Sequence, residues 1–265
     1  MPSVSTAPAT PVESGQHHVP CRVPRASPFE SLGTAVDAQA VAVVAALEQA
    51  DPAAPTRCAG WTVAELDRQL GAVTAGLAEQ LQQPVGQPPD GGLATWAAAR
   101  PGAGDRDAEA RAEGPGLVAG VAQLRAALTR TDPTAVVAQR TGRYTVADAL
   151  LFRLIELVAH GRDLPVPVEP DRRALKLVVR ALAGLLAERA PGRHVECRVP
   201  PHAAVQCVAG PRHTRGTPPN VVECKPVAFV ELCTGRLGWA EAVADGRVRT
   251  WGDRADLSPW LPLLT

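Results

Sequence analysis

Aromatic residues are scarce in this 265-residue chain, where they make up 3% of the sequence as five Trp, three Phe and one Tyr. Lysine is scarcer still, with Lys176 and Lys225 only. Hydrophobic residues nevertheless make up 46% of the chain, so a sizeable core is possible. Such a core must be built from Ala, Leu and Val rather than from rings, and this composition favours helices.

The chain also lacks an excess of charge of either sign, because it has 27 basic and 27 acidic residues. This balance argues against a nucleic-acid or membrane-surface partner held by bulk electrostatics. No 18-residue apolar run without charges predicts a membrane span, and the first 30 residues do not resemble a secretion signal. We therefore expect a cytoplasmic protein. The abundant Ala, Gly, Pro and Arg indicate a bacterial source with GC-rich codons.

The six cysteines lack CxxC spacing, and the chain is too long and too helical for a disulfide scaffold. Cys58 precedes a predicted helix start, where a thiolate could be stabilised. The alternative is that Cys58 is simply a small residue in a turn, and this is the interpretation we favour.

Hydrophobic periodicity divides the chain into two parts. Residues 1–30 show no periodic pattern and are predicted to be a disordered tail. Helical spacing of apolar residues predicts helices over 35–50, 62–81, 93–99, 117–129, 144–164, 172–189, 227–233 and 239–244. Short β-type runs follow the sixth helix at 194–199, 203–208 and 247–251. Helices followed by mixed strands and helices indicate two domains.

The helix over 144–164 carries a polar stripe on an otherwise apolar surface. Arg153, Glu156, His160 and Asp163 follow one another at spacings of three, four and three, which places them on one face. A carboxylate and an imidazole on a buried helix need partners, because unpaired burial is costly. A divalent metal would satisfy both, since Glu oxygen and His nitrogen are ordinary zinc ligands. A salt-bridge network at a domain junction explains the same pattern, and both interpretations stay open on spacing alone.

Two segments resemble the mycothiol-dependent maleylpyruvate isomerase family. TRCAGWTVAELDRQL at 56–70 is similar to the family's motif C-x-G-W-T-V-x-x-L-x-x-H-L, and RLIELVAHGRDL at 153–164 is similar to R-x-x-E-x-x-x-H-x-x-D-L. The resemblance implies a DinB-like four-helix bundle that holds a metal through His on one helix and Glu and His on a later one. The implied ligands are Glu156, His160 and, where the family has the first His, Gln69.

The glutamine is a departure that bears on function. A neutral amide oxygen is a weaker ligand for Zn²⁺ than imidazole, so metal binding is expected to be weakened or lost. Gln69 could instead bond Glu156 or His160 directly. Arg153 and Asp163 would orient the ligands from outside the coordination sphere.

The C-terminal segments 198–223 and 234–264 resemble the bacterial sterol-carrier-like domain, in an arrangement similar to actinobacterial sterol carrier family proteins. The resemblance implies a sheet with covering helices around an apolar tunnel. Residues that could line it here are Trp239, Val243, Leu257, Trp260, Leu261, Leu263 and Leu264. An ordinary core without a cavity is the open alternative. The loop 210–220 concentrates Arg212, His213 and Arg215, which could grip an anionic group of a thiol cofactor or substrate. Solvated loop charges are the favoured interpretation.

The expected fold is therefore an α plus α/β two-domain chain. It has a DinB-like bundle over 31–166 and a small α+β sterol-carrier-like domain over 167–265. The expected function is a mycothiol-dependent isomerase or thiol transferase that uses a divalent metal, zinc first among them, on an apolar or acidic small molecule. The alternative is a non-catalytic protein that binds a lipid or other apolar ligand and carries a degenerate bundle.

Overall fold

A computed structural model describes residues 29–99, 114–210 and 220–264. Eight helices and two small sheets lie within these ranges. The predicted tail over 1–30 lies almost wholly outside the described residues, as do Arg212, His213 and Arg215.

Four helices form a bundle in the N-terminal part. They are α1 (Phe29–Gln49), α2 (Val63–Gln82), α4 (Leu117–Leu128) and α5 (Val146–Gly161), with the short α3 (Leu93–Ala99) following α2. α1 packs against α4 and α5, and α2 packs against the same two helices, so the four enclose one core. The helical part of the expected fold is thus present.

Two glycines allow α2 and α4 to approach closely. A Cβ on Gly71 of α2 would lie 1.9 Å from the Pro115 carbonyl oxygen, and one on Gly120 of α4 would lie 2.5 Å from the Gly71 carbonyl oxygen. No side chain fits at either position without moving backbone. The close contact between α2 and α4 therefore requires glycine at both positions.

Thr62 caps α2, at the residue where the predicted helix over 62–81 begins. Its hydroxyl accepts from the Glu65 backbone N–H at 3.3 Å, and the Glu65 carboxylate accepts from the Thr62 backbone N–H at 2.8 Å. This reciprocal pair satisfies two N–H groups that the helix itself leaves unbonded. The cap matters for the site below because the turn that precedes it carries Cys58.

We expect Thr62→Ala to lower the free energy of unfolding by about 1 kcal/mol, because the N-terminal N–H groups of α2 lose their acceptor. Urea unfolding followed by circular dichroism measures the change. Thr34→Ala is the matched control, since Thr34 is exposed and its hydroxyl bonds the Glu30 carbonyl oxygen of its own helix, with no other partner among the described residues. Equal losses in the two variants would contradict the assignment of a cap.

The helix predicted over 144–164 begins later, at Val146. Tyr144 belongs to β2 (Gly142–Thr145), which pairs antiparallel with β1 (Val136–Gln139), and neither strand was predicted. Tyr144 is fully buried and meets Phe152 edge-on at a centroid distance of 5.0 Å. Thr145 caps α5 by accepting from the Asp148 backbone N–H at 3.1 Å.

The C-terminal part joins the bundle through α6 (Arg172–Arg189), which packs on α1 and α5 and also against the second sheet. That sheet has the order β4–β3–β5–β6. Its strands are β3 (Val195–Val199), β4 (Ala203–Cys207), β5 (Asn220–Cys224) and β6 (Val248–Trp251). β3 is antiparallel to β4 and parallel to β5, and β5 is antiparallel to β6. Helices α7 (Pro226–Cys233) and α8 (Trp239–Ala244) separate β5 from β6.

One buried cluster runs through both parts of the chain. Leu257, Leu263 and Leu264, which were expected to line a tunnel, are buried in it, and Trp239, Trp260 and Leu261 pack against it. Val243 is exposed. Two surface grooves among the described residues, of about 250 and 230 Å³, lie on the helical part instead. The tunnel therefore stays a prediction.

Helix α1 has the length and apolar composition of a membrane span, with a mean hydropathy of 1.3 and 33% of the apolar window buried. A core helix of a protein that never enters a membrane passes the same test, so this composition is weak evidence. The cytoplasmic location stays a prediction.

Candidate functional site

Three distant segments meet at the C-terminal end of α5. Cys58 lies in the turn between α1 and α2, His160 lies in the last turn of α5 with Asp163 just after it, and Arg236 lies between α7 and α8. Asp163 is buried at 2% exposure, and His160 and Arg236 are about one-fifth exposed at their side chains. The cluster is therefore built jointly by the N-terminal and C-terminal parts.

Asp163 is the centre of this cluster. Its Oδ2 lies 2.9 Å from His160 Nδ1 and accepts from the Cys58 thiol at 3.1 Å. Arg236 binds both carboxylate oxygens, with Nε donating to Oδ1 at 2.8 Å and Nη2 donating to Oδ2 at 2.5 Å. This two-point geometry is the strongest form of Arg–carboxylate contact and fixes the plane of the carboxylate.

The electrostatics keep Asp163 ionised and Cys58 protonated. Burial raises the pKa of Asp163, but hydrogen bonds from His160 and Arg236 and the Arg236 charge outweigh it and hold the pKa well below its usual value. Burial and the adjacent Asp163 carboxylate raise the pKa of the Cys58 thiol to about 12. At neutral pH the cluster is thus a carboxylate–guanidinium pair with a neutral thiol beside it.

Cys58, His160 and Asp163 offer three possible metal ligand atoms within 4.8 Å of one another. Sulfur, nitrogen and oxygen donors of this kind suit zinc. However, Arg236 places its guanidinium on the same carboxylate, 3.2 Å from His160 Nδ1, and the thiol holds its proton. A cation there would have to displace Arg236 and ionise Cys58, so this set fits a metal poorly.

The predicted set of Gln69, Glu156 and His160 has donors of a different kind. Gln69 Oε1 is buried on α2 and has no hydrogen-bond partner among the described residues. All three polar contacts of His160 within the described chain go through Nδ1, so Nε2 stays available as a ligand. A carboxylate that orients Nδ1 is the usual arrangement around metal-binding histidines. An amide oxygen and an imidazole nitrogen without hydrogen-bond partners are donors that a divalent ion accepts. Glu156 as the anionic ligand stays a prediction, because Arg153 binds its carboxylate.

The stripe predicted on α5 divides into one ion pair and one hydrogen-bonded pair. Glu156 is bonded by Arg153, three residues before it, and His160 is bonded to Asp163, three residues after it. Arg153 is buried at 8% exposure, so the first pair lies largely inside the protein. The structure brings His160 and Asp163 together, and it leaves the roles of Gln69, Glu156 and Arg153 as predictions.

Sequence reasoning missed Arg236 and discounted Cys58. Arg236 lies 73 residues after Asp163 in a short connection between two helices, where no periodic pattern marks it. For Cys58 the signal in the sequence is its position just before a predicted helix start. Its actual partner, Asp163, lies 105 residues away and could not be identified from local spacing.

Two family models match this chain. The model for the mycothiol maleylpyruvate isomerase N-terminal domain matches residues 34–165, and the model described as bacterial SCP ortholog matches residues 171–263. A comparison with curated protein sequences finds no match. Two crystal structures of the mycothiol-dependent maleylpyruvate isomerase, one of a histidine-to-alanine mutant, are similar in fold at 15% sequence identity. The matches cover 87% of this chain and 95% of each isomerase chain, with TM-scores of 0.57 for the mutant and 0.56 for the other.

Proposed function

We propose that this chain binds a divalent metal and uses mycothiol as the thiol that reacts with a small-molecule substrate. Over residues 34–165 the chain belongs to the mycothiol maleylpyruvate isomerase N-terminal domain family. The observation that carries this proposal is the oriented imidazole. His160 has Nδ1 held by a buried carboxylate and Nε2 uncommitted, and it lies one helical turn from Glu156. The C-terminal part, which matches the bacterial SCP family, would cover the site and contact the substrate.

Each residue of the cluster has a role that follows from its contacts. Asp163 would hold the proton on His160 Nδ1, which leaves the Nε2 lone pair for a ligand. Arg236 would keep Asp163 ionised and in plane, so the direction of the imidazole is fixed from the C-terminal part. Cys58 would keep its proton and donate a hydrogen bond to Asp163 rather than act as a nucleophile.

Gln69, Glu156 and His160 Nε2 would hold the ion, and zinc is the first candidate because of the imidazole and carboxylate donors. When bound, a divalent ion supplies Lewis acidity that lowers the pKa of a thiol ligand toward neutral. Mycothiol would be that thiol, and isomerisation or thiol transfer would be the reaction. Domain boundaries at 31–166 and 167–265 are part of the same proposal.

Metal analysis tests the assignment of ligands. We expect wild-type protein purified without chelators to hold about one zinc per chain by plasma mass spectrometry, because Gln69, Glu156 and His160 would supply three ligands to one ion. Glu156→Gln and His160→Ala are expected to lose it, while Cys58→Ser retains it. Loss in Cys58→Ser with retention in Glu156→Gln would instead favour the set of Cys58, His160 and Asp163.

An activity assay tests the reaction. Isomerisation of maleylpyruvate and adduct formation with a panel of electrophiles are measured with mycothiol, without it and with Glu156→Gln protein. We expect turnover only with mycothiol and the wild-type chain. If neither wild type nor Gln69→His protein takes up a divalent ion, the proposal of a metal-dependent enzyme fails. That result would favour the alternative of a non-catalytic protein that binds an apolar ligand.

A further inference from the structure

Glu231 on α7 is a second buried carboxylate, with 4% exposure and three arginine neighbours. Its Oε1 accepts from Arg162 Nε at 3.0 Å and lies 3.9 Å from Arg57 Nη1, while its Oε2 lies 3.6 Å from Arg247 Nη1. Arg57 and Arg162 belong to the helical part, and Arg247 belongs to the C-terminal part. A buried carboxylate surrounded by three arginines holds their guanidinium groups in place, because loss of its charge would leave them without this buried anionic partner.

Two of these arginines lie next in sequence to site residues. Arg57 precedes Cys58, and Arg162, the C-cap of α5, precedes Asp163. A contact that fixes the guanidinium groups of Arg57 and Arg162 therefore also restrains the turn before α2 and the end of α5.

The same carboxylate residue is connected to Arg236. The Arg236 backbone N–H donates to the Glu231 carbonyl oxygen at 2.8 Å, and Arg57 Nη2 donates to the Arg236 carbonyl oxygen at 3.1 Å. The Arg57 backbone N–H donates to the Asp163 carbonyl oxygen at 2.8 Å. Glu231, Arg57, Arg236 and Asp163 thus form a closed circuit of side-chain and backbone contacts around the site.

Each of the two buried carboxylates is bound by arginine from the other part of the chain. Asp163 of the helical part is held by Arg236 of the C-terminal part, and Glu231 of the C-terminal part is held by Arg57 and Arg162 of the helical part. We propose that Glu231 is a positioning residue that holds the Arg236 connection and the Cys58 turn against Asp163, and so orients His160. The consequence for metal affinity rests on the proposed function, whereas the consequence for Cys58 does not.

The test compares Glu231→Gln with Glu241→Gln. Glu241 also binds Arg247, at 2.7 Å, but its side chain is 66% exposed, and it has no ion pair with Arg57 or Arg162 in the described ranges. Native protein is alkylated with iodoacetamide, and peptide mass spectrometry follows Cys58 separately from the other cysteines. Cys197, Cys224 and Cys233 are buried and report global opening in the same sample.

In Glu231→Gln we expect alkylation of Cys58 to accelerate by about tenfold, the factor expected when hydrogen bonds to a charged group no longer oppose local opening. The buried cysteines should keep their rates. Zinc affinity should fall by about 10-fold or more, as for other changes to groups that orient a metal-binding histidine. Glu241→Gln should behave as wild type in both measurements.

A variant that melts at a lower temperature but keeps both the Cys58 rate and the zinc affinity shows Glu231 to be only structural, which overturns the proposal. Parallel acceleration of all cysteines does the same. If wild type binds no metal, the proposed function fails, and the Cys58 rate alone decides this inference. If Glu231→Gln does not fold, Arg57→Gln takes its place, because Arg57 is half exposed at its side chain. An unchanged Cys58 rate in that variant overturns the proposal.

Discussion

Asp163→Ala is expected to lower the free energy of unfolding by about 3 kcal/mol, the lower end of the range for breaking a buried ion pair. The carboxylate is 2% exposed and accepts from Cys58 and twice from Arg236. Its removal leaves the Arg236 guanidinium largely buried without an anion. Guanidinium chloride unfolding followed by circular dichroism measures the loss.

Two further variants separate this interpretation from general damage to a buried position. Asp245→Ala removes a half-exposed partner of Arg247, and a loss within about 0.5 kcal/mol is expected there. Asp163→Ala combined with Arg236→Leu should recover part of the stability, because the unpaired charge is removed as well. A double variant less stable than the sum of the two single changes would contradict the ion-pair explanation.

The same carboxylate gives the stability difference a pH dependence. Because the pKa of Asp163 is depressed in the folded protein, its contribution is fully present above the unfolded value of about 4. The contribution is lost as the pH falls through the lower folded value. Wild type and Asp163→Ala should therefore differ most near neutral pH and converge at strongly acidic pH.

Local sequence patterns were sufficient for most helices. Apolar spacing predicted a helix over 62–81, close to α2 at Val63–Gln82, and the predicted range of α6 matches Arg172–Arg189 in the structure. β5 (Asn220–Cys224) was missed because a short buried run has no period of its own and pairs in parallel with β3, which is distant in sequence. The β1–β2 hairpin was missed because Tyr144 was assigned to the following helix.

The site was predictable only where its partners lie within one helical turn. Spacing placed His160 and Asp163 on one face, and the structure bonds them at 2.9 Å. Arg236 and Glu231 lie far along the chain and reach the site through tertiary packing, which no local pattern encodes. A sequence can therefore indicate which helix carries a site while leaving the residues that orient it unidentified.

Gln69→His is expected to tighten zinc binding by about 100-fold, because imidazole replaces a neutral amide oxygen as the third ligand. Gln69 Oε1 is buried on α2 and has no hydrogen-bond partner among the described residues, so no hydrogen bond of this oxygen is lost in the exchange. Competition with a chromogenic chelator measures the dissociation constant for wild type and variant.

Gln80→His is the matched control for that change. Gln80 lies on the same helix, and its Oε1 is likewise buried without a partner in the described part of the chain. A new histidine there adds the same side chain to the same helix, so general effects of imidazole on stability or loose zinc binding appear in both variants. Tightening in Gln69→His alone places residue 69 beside the ion, where the amide oxygen of wild-type Gln69 would be the third donor. If wild type binds zinc and Gln69→His leaves the affinity unchanged, the ion lies elsewhere, and the donors at Cys58, His160 and Asp163 become the better assignment despite Arg236.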